Sequence, residues 1–251
     1  MLNSSVIARS VFATKQSFFL YSSPLMGEVR WGCMKTFVIG DIHGAHQALL
    51  QCLELSKFDR KQDRLICLGD VCDRGIQVKE CVDELLTIAH CVYILGNHDA
   101  WALEWAIYGQ APQEWWDQGG AKTAMSYKET GMPTEHIRFL AKAPLWFVEQ
   151  NRLFVHGGFD PQRPLEETPK EIFIWDRSLL EKAQELHLTR PDWKFGNYDE
   201  IFIGHTPTIN FGKTEPQKFC NVWDLDTGAG HGARLTIMDV DTKQFWQSAP
   251  T

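Results

Sequence analysis

The sequence predicts an α/β fold with parallel strands, and three observations support this prediction. Short apolar runs alternate with segments of helical periodicity, the first three runs each end in a glycine followed by polar residues, and further apolar runs follow later in the chain. The runs that predict strands lie at residues 36–40, 65–68, 92–95, 153–155, 201–203, 222–225 and 234–238. Strands that alternate with helices pair in parallel through right-handed crossovers. Since the later runs follow a long interruption, we expect two sheets.

The predicted helices follow these strands in order. Apolar side chains after Gly44 recur near one helical face, at Ala48, Leu49, Cys52, Leu53 and Leu55. The segment 78–89 has apolar residues three to four positions apart, which is the spacing of a buried helical stripe. Further helices are predicted at residues 101–108 and in a stretch that ends near residue 140. Segments 161–170 and 190–199 are predicted to be loops.

The domain organisation is predicted to be simple. A chain of 251 residues is short enough for one hydrophobic core, and residues 34–251 are predicted to form a single domain. Residues 1–33 are predicted to be an N-terminal extension outside this fold. Lys15 and Gln16 interrupt their one apolar stretch, which argues against a secretory signal peptide. Met34 lies just before the first predicted strand, and our hypothesis is that it is the natural start.

Charge and cysteine usage limit the classes of partner. The formal net charge is −7 and the acidic residues are spread along the chain, which argues against a nucleic-acid or anionic-membrane surface. No apolar run approaches the ~20 residues that span a bilayer. Seven cysteines without a C-x-x-C pair indicate reduced thiols and a cytoplasmic protein. The oligomeric state is not indicated.

Side chains that can bind metals follow the predicted strands at the points where the strands end. These residues are Asp41, His43, Asp70, Asn97, His98, His156 and His205. In open α/β sheets, ligands bind beyond the carboxyl ends of the strands, so we expect these groups to converge on one cleft. A single histidine or aspartate at such a position is usually an ordinary hydrogen-bonded or helix-capping residue. Five strand ends that all carry such groups favour a metal site.

Three motifs carry a resemblance to a known family. Segments 40–44 (GDIHG), 69–75 (GDVCDRG) and 96–99 (GNHD) resemble the signature motifs of the phosphoprotein phosphatases, within the calcineurin-like metallophosphoesterase superfamily. Later segments that resemble the bacterial and phage branch lie at residues 115–120, 156–158, 174–177, 204–207 and 226–228. The resemblance covers residues 35–240. It implies a four-layer α-β-β-α sandwich with two central mixed sheets.

The resemblance also implies a dinuclear metal centre. The implied ligands are Asp41, His43, Asp70, Asn97, His156 and His205. Asp70 would bridge the two ions, with Asp41 and His43 on the first ion and the later residues on the second. Mixed oxygen and nitrogen ligands suit manganese, or alternatively iron or zinc, better than calcium.

The resemblance also implies catalytic roles for four further residues. His98 would protonate the leaving group, with Asp73 orienting its ring. Arg74 and Arg177 would hold phosphate oxygens, because a planar guanidinium matches phosphate geometry. The implied activity is phosphomonoester hydrolysis by in-line attack of a metal-bridging hydroxide. The implied substrate is a phosphorylated protein or a small phosphoester, and the expected enzyme is a serine/threonine or dual-specificity protein phosphatase.

Two alternatives stay open. Asp99 also occurs at this position in symmetrical diadenosine tetraphosphate hydrolases, so that activity, or another small-molecule phosphoesterase activity, is the alternative. Pro207 replaces a ligand histidine typical of related nucleases and purple-acid-type enzymes, which argues against those branches. A non-catalytic scaffold would be expected to have lost ligands, whereas all six are present.

Residues outside the motifs are expected to have lesser roles. Trp115 and Trp116 are expected either to shape the substrate opening or to pack in the core. Asp226 is expected to support a network around the site or a strand end. The histidines expected to be structural or surface groups are His46, His90, His136, His187 and His231.

Overall fold

A computed structural model describes residues 34–251, which form one compact unit. The predicted N-terminal extension, residues 1–33, lies outside the described residues. Between residues 34 and 251, no helix is long and apolar enough to cross a membrane.

Ten strands and eight α-helices make up the described part of the chain. The strands are β1 Thr36–Ile39, β2 Arg64–Cys67, β3 His90–Tyr93, β4 Trp146–Glu149, β5 Arg152–Val155, β6 Glu200–Ile203, β7 Gln217–Phe219, β8 Val222–Asp224, β9 Thr236–Asp239 and β10 Phe245–Gln247. The helices are α1 His46–Leu55, α2 Val78–Leu86, α3 Asn97–Tyr108, α4 Gln113–Trp115, α5 Ala121–Ser126, α6 Thr134–Ala141, α7 Lys170–Trp175 and α8 Ser178–His187. A π-helical turn, Trp116–Gly120, joins α4 to α5.

The strands form two five-stranded mixed sheets. The first has the order β10-β9-β1-β2-β3, with β1, β2 and β3 parallel and β9 and β10 antiparallel. The second has the order β4-β5-β6-β8-β7, with β5, β6 and β8 parallel between two antiparallel edge strands. The prediction of an α/β fold with two central mixed sheets is therefore confirmed.

Alternation along the strands produces the four layers. Because successive side chains of a strand point to opposite faces, Phe37 and Ile39 pack with the helices beside the first sheet, whereas Val38 packs between the sheets. In the second sheet, Phe202 packs between the sheets, and its neighbour Ile203 lies in the cluster that contains residues of α8. The interior strands of each sheet are thus buried on both faces, which explains their continuous apolar runs.

The differences from the sequence prediction lie mainly at edges and ends. Strands β4, β7 and β10 were not predicted; each lies at an edge of its sheet, has only three or four residues and is only partly buried. Helix α3 begins at Asn97, four residues earlier than predicted. Leu55, predicted on the buried face of α1, is exposed because α1 ends at this residue.

Candidate metal centre and phosphate site

The parallel strands of both sheets direct their carboxyl ends to one buried cluster of polar side chains. Asp41 and His43 follow β1, Asp70 follows β2, and Asn97 is the first residue of α3, after β3. In the second sheet, His156 follows β5 directly. His205 lies two residues beyond β6. All six of these side chains are buried.

Asp70 lies at the centre of this cluster. Its Oδ2 atom is 3.8 Å from Nε2 of His43 and 3.3 Å from Nε2 of His156. Ligand atoms of Asp70, His43 and His98 lie within 4.8 Å of one another, and so do those of Asp70, His156 and His205. One carboxylate is therefore shared by two groups that could each hold a cation.

Asn97 and Asp41 are the remaining members of the cluster, and they contact different histidines. The side-chain oxygen of Asn97 is 3.0 Å from Nε2 of His156. Asp41 accepts hydrogen bonds from the backbone N–H of His205 through both carboxylate oxygens, at 3.2 and 3.0 Å. Asp41 thus lies in the loop after β1 of the first sheet but contacts a loop of the second.

Three of the imidazoles each donate a hydrogen bond to a backbone carbonyl oxygen. Nδ1 of His43 donates to the carbonyl oxygen of Cys72 at 2.7 Å, and Nδ1 of His156 donates to that of Leu68 at 2.7 Å. Nε2 of His205 donates to the carbonyl oxygen of Trp175 at 3.2 Å. A carbonyl accepts only an N–H donor, so each bond selects one tautomer and leaves the other ring nitrogen with a free lone pair.

His98 has a different partner. Its Nδ1 atom is 2.6 Å from Oδ2 of the buried carboxylate of Asp73. Its Nε2 atom is 3.4 Å from Nη2 of Arg74. The carboxylate accepts from Nδ1 of His98 and thereby orients this ring. The cluster therefore contains three imidazoles held by backbone carbonyls and one held by a carboxylate.

The backbone is strained where these groups lie. Ten non-glycine residues in the described chain have positive φ, and five of them are His43, Asp70, Asp73, Arg74 and His205. This left-handed conformation is uncommon for residues with a side chain. Its concentration at one cluster is typical of functional sites, where the surrounding structure holds strained residues in place.

The electrostatics of the cluster fit divalent cations. Burial raises the pKa of Asp41 well above its usual value, with further contributions from Asp226 and Asp70. Burial lowers the pKa of His43 well below its usual value, and it lowers that of His205 to about 2, assisted by His156 and Arg177. Asp70 and His156 behave differently: the facing imidazoles lower the pKa of Asp70 despite its burial, and the carboxylate of Asp70 raises that of His156. Carboxylates that repel one another, beside the neutral imidazoles of His43 and His205, form a donor set that a divalent cation stabilises.

Arg74 lies beside this cluster. One of its terminal nitrogens, Nη1, is bonded to the ring of His231. Its Nε atom is buried without a hydrogen-bond partner among residues 34–251, and such a donor is available to an anion. Arg177, by contrast, is exposed at the residue before α8.

Comparison with known proteins agrees with this geometry. A family model described as calcineurin-like phosphoesterase matches residues 34–231. The chain belongs to this family. It is 27% identical over 214 residues to serine/threonine-protein phosphatase 1 of Salmonella typhimurium, which covers 80% of this chain and 89% of the relative. It is 30% identical over 278 residues to a symmetrical bis(5'-nucleosyl)-tetraphosphatase of Coxiella burnetii, which covers 85% of this chain and 92% of the relative.

A solved structure supports the fold. The crystal structure of a protein provisionally named a diadenosine tetraphosphatase matches with a TM-score of 0.66 and 19% identity, over 90% of this chain and 96% of that one. Family membership and the phosphatase-named relatives confirm the prediction of a metal-dependent phosphoesterase. The relatives are named for different substrates, so the substrate of this phosphoesterase is not decided by the comparison.

Sequence reasoning missed His231 as a neighbour of the site. The preceding residue, Gly230, approaches the site so closely that a Cβ atom there would lie 2.4 Å from Cδ2 of His43 and 2.8 Å from Cδ of Arg74. The signal in the sequence was the glycine-rich run 228–232, which follows a motif already recognised. Asp226, left without a definite role, is buried and contributes to the raised pKa of Asp41.

Asp99 has an internal role in this phosphoesterase. Its fully buried carboxylate accepts hydrogen bonds from the backbone N–H groups of Asp70 at 2.8 Å and Val71 at 3.1 Å. It also accepts one from the hydroxyl of Tyr93 at 2.6 Å. Asp99 therefore supports the loop that carries Asp70, and its position gives it no contact with a substrate.

One cleft borders the cluster, and a second cleft is lined by residues outside it. The amide groove, with a volume of about 420 Å³, is lined by His43 and Arg74 and by the side-chain amides of Gln47, Gln51 and Gln77. The lysine cleft, of about 500 Å³, begins at Ser178, next to Arg177. Its lining includes Phe159, Trp193, Phe195, Lys182 and Lys194.

Proposed function

We propose that this phosphoesterase is a dinuclear phosphomonoester hydrolase and that it acts on a phosphorylated protein as a serine/threonine or dual-specificity phosphatase. The observation that supports this most directly is the position of Asp70, whose carboxylate belongs to both groups of potential metal ligands. A shared carboxylate is what a pair of adjacent ions requires.

We assign the ligands as the sequence motifs imply. His43 and Asp41 would hold the first ion, and Asn97, His156 and His205 the second, with Asp70 between them. The free lone pairs of the three carbonyl-bonded imidazoles support this assignment. Mixed nitrogen and oxygen ligands favour manganese, with iron or zinc as alternatives.

The bound ions would supply Lewis-acid charge and activate water for attack on phosphorus. The guanidinium of Arg74 would hold phosphate oxygens with charge-assisted hydrogen bonds. Nδ1 of His98 is held by Asp73, so its Nε2 atom, which lies on the side of Arg74, would deliver the proton to the leaving oxygen. Asp73 would stabilise the protonated ring before this transfer.

The amide groove supports a protein substrate. It adjoins both His43 and Arg74, and the amides of Gln47 and Gln77 can donate to and accept from a peptide backbone. The amide oxygen of Gln51 already accepts a hydrogen bond from the backbone N–H of Ala249 at 2.9 Å, which leaves its NH2 group for a substrate. Among residues 34–251, Arg74 is the one Lys or Arg residue in the lining of this groove. A single cation matches one phosphate group better than a chain of four phosphates.

The lysine cleft supports the alternative, a symmetrical diadenosine tetraphosphate hydrolase. Lys182 and Lys194 could neutralise additional phosphates, and the ring of Trp193, which is partly exposed, could stack on a nucleobase. Because Lys194 is already paired with Asp199 at 2.8 Å, we place this substrate second.

Turnover by the metal-loaded protein tests the proposal. The protein is stripped with a chelator, reloaded with manganese, iron or zinc, and assayed on a phosphoserine peptide, a phosphotyrosine peptide and diadenosine tetraphosphate. We expect metal-dependent release of inorganic phosphate from at least one peptide, with kcat/KM above that for the dinucleotide. A higher kcat/KM for the dinucleotide would favour the alternative, and no turnover with any metal would refute both.

A matched pair of variants tests which of the two clefts binds the substrate. Gln51→Ala should lower kcat/KM for peptides and not for the dinucleotide, whereas Lys182→Ala should do the reverse if the alternative is correct. A cytoplasmic location stays a prediction from cysteine usage, and all six cysteines of the described chain are free.

A further inference from the structure

Asp73 is held by a part of the chain that lies outside the metal-binding motifs. The segment from α4 to α5, residues 113–126, packs against the loop that carries Asp73 and Arg74. The indole Nε1 of Trp115 donates to Oδ1 of Asp73 at 3.0 Å. The hydroxyl of Thr123 donates to the same oxygen at 2.7 Å and accepts from the backbone N–H of Asp73 at 2.8 Å.

These contacts leave one oxygen of the carboxylate for His98. The two donors occupy Oδ1, and Oδ2 faces Nδ1 of His98 at 2.6 Å. The terminal torsion of an aspartate side chain is broad and roughly two-fold. The side chain alone therefore does not set the angle at which the carboxylate faces the imidazole, whereas two donors converging on one of its oxygens do.

The burial of these groups makes the arrangement rigid. Asp73, Trp115 and Thr123 are fully buried, and His98 is nearly so. Gly120 allows the indole to lie close, because a Cβ atom at Gly120 would be 2.3 Å from Cδ2 of Trp115. A bulky indole that only filled space would not need its one polar atom aimed at a carboxylate that orients the candidate acid.

We propose that Trp115 and Thr123 are positioning residues that orient Asp73 and, through it, His98 for proton donation. This inference depends on the proposed role of His98 in the reaction. The alternative is that both residues only pack the interior, in which case their polar atoms are satisfied without any effect on the chemical step.

Leaving-group dependence distinguishes these two roles. An alkoxide leaving group, such as that of phosphoserine, needs a proton in the transition state, whereas p-nitrophenolate hardly needs one. Trp115→Phe should therefore lower kcat about tenfold for a phosphoserine peptide, the size expected for losing one hydrogen bond to a charged group. The decrease for p-nitrophenyl phosphate should be much smaller, and KM should not change for either substrate.

Three further variants serve as controls. Thr123→Val should reproduce the selective loss, and Thr123→Ser, which keeps the hydroxyl, should restore activity. Trp105→Phe is the control for losing an indole N–H, because its ring lies 5.5 Å from that of Trp115 but is not a hydrogen-bond donor to Asp73. This variant should have no selective effect. In an Asp73→Asn background, Trp115→Phe should cause little additional loss, because residues that act through one partner are not additive.

A measurement that needs no turnover tests the same point. The hydrogen-bonded Nδ1 proton of His98 should give a downfield NMR resonance in the wild type that disappears in Asp73→Asn. In Trp115→Phe and Thr123→Val this resonance should shift or broaden, and in Trp105→Phe it should not.

Two results would overturn the inference. One is an equal loss of kcat for the phosphoserine peptide and p-nitrophenyl phosphate, and the other is an unchanged His98 resonance in both positioning variants. If the wild type hydrolyses neither substrate with any metal, the proposed function fails. An altered resonance would then still support the positioning of His98 by Trp115 and Thr123.

Discussion

The first and second sheets each bring parallel strand ends to the site, but the chain reaches them by different routes. In the first sheet, β1, β2 and β3 are consecutive, and 29 and 27 residues separate Asp41, Asp70 and Asn97. In the second sheet, β5, β6 and β8 are parallel neighbours, but 45 residues separate Val155 from Glu200, and β7 lies between β6 and β8 in the chain.

The two halves of the molecule, each consisting of one sheet with its helices and loops, also differ in the backbone conformation of their loops. Four of the five strained site residues, His43, Asp70, Asp73 and Arg74, are in loops of the first sheet, whereas the second contributes His205. Such conformations cost about 1–3 kcal/mol each, and the hydrogen bonds that Asp99 accepts from Asp70 and its neighbours help to hold them. We infer that the first half carries the chemistry and the second half mainly completes the metal centre.

The largest expected effect comes from the residue that joins the halves. Asp70→Ala should remove both ions and lower kcat/KM by roughly 10³-fold or more, because several kcal/mol of charge stabilisation depend on the metals. Metal content by mass spectrometry and phosphate release measure this. Asp239→Ala, which removes a buried carboxylate at the opposite end of the first sheet, should retain the metals. Two tightly bound ions in Asp70→Ala would contradict the bridging role.

A comparison of two histidines tests the division of roles. His98→Asn should keep the metals but lower kcat on a phosphoserine peptide by about 10²–10⁴-fold, the usual effect of losing a general acid. His156→Asn should lose metal from the second ion site. If His98→Asn loses metal to the same extent, His98 is a ligand, as its distance to Asp70 and His43 would also allow.

The two arginines should differ because their environments differ. Arg74→Ala should lower kcat/KM by about 10–100-fold, since a partly buried guanidinium makes strong charge-assisted hydrogen bonds. Arg177 is exposed, and solvent screens such charges, so Arg177→Ala should raise KM by only about threefold. Steady-state kinetics with metal content as a control measure both variants. A larger effect for Arg177 would indicate that the phosphate is bound mainly by the second half.

Among the variants expected to lose metal, the smallest effect is expected at a glycine where the halves meet. A Cβ atom at Gly204 would lie 2.1 Å from Oδ1 of Asp41, so Gly204→Ala should displace this carboxylate and weaken metal binding about tenfold. Gly109→Ala is the control, because Gly109 has positive φ but nothing near its Cβ position. It should cost about 1 kcal/mol of stability without changing metal affinity. Equal metal affinity in both variants would argue against contact between the halves through Asp41.

The sequence by itself determined the strands of the sheet interiors and the residue types of the site. Buried strands such as β2 and β6 have continuous apolar runs because both faces are covered, and Asp70 and His205 follow at their ends. The sequence did not predict the edge strands β4, β7 and β10, which are only three or four residues long and only partly buried.

Only the tertiary structure decided which side chains act on one another. The carbonyl partners of His43, His156 and His205, and the bond from Trp115 to Asp73 across 42 positions of the chain, depend on the packing of segments that are distant in sequence. His231 was missed for the same reason, because its contact with Arg74 spans 157 positions. Periodicity reports burial along one segment, but hydrogen-bond partners across segments are set only when the layers pack together.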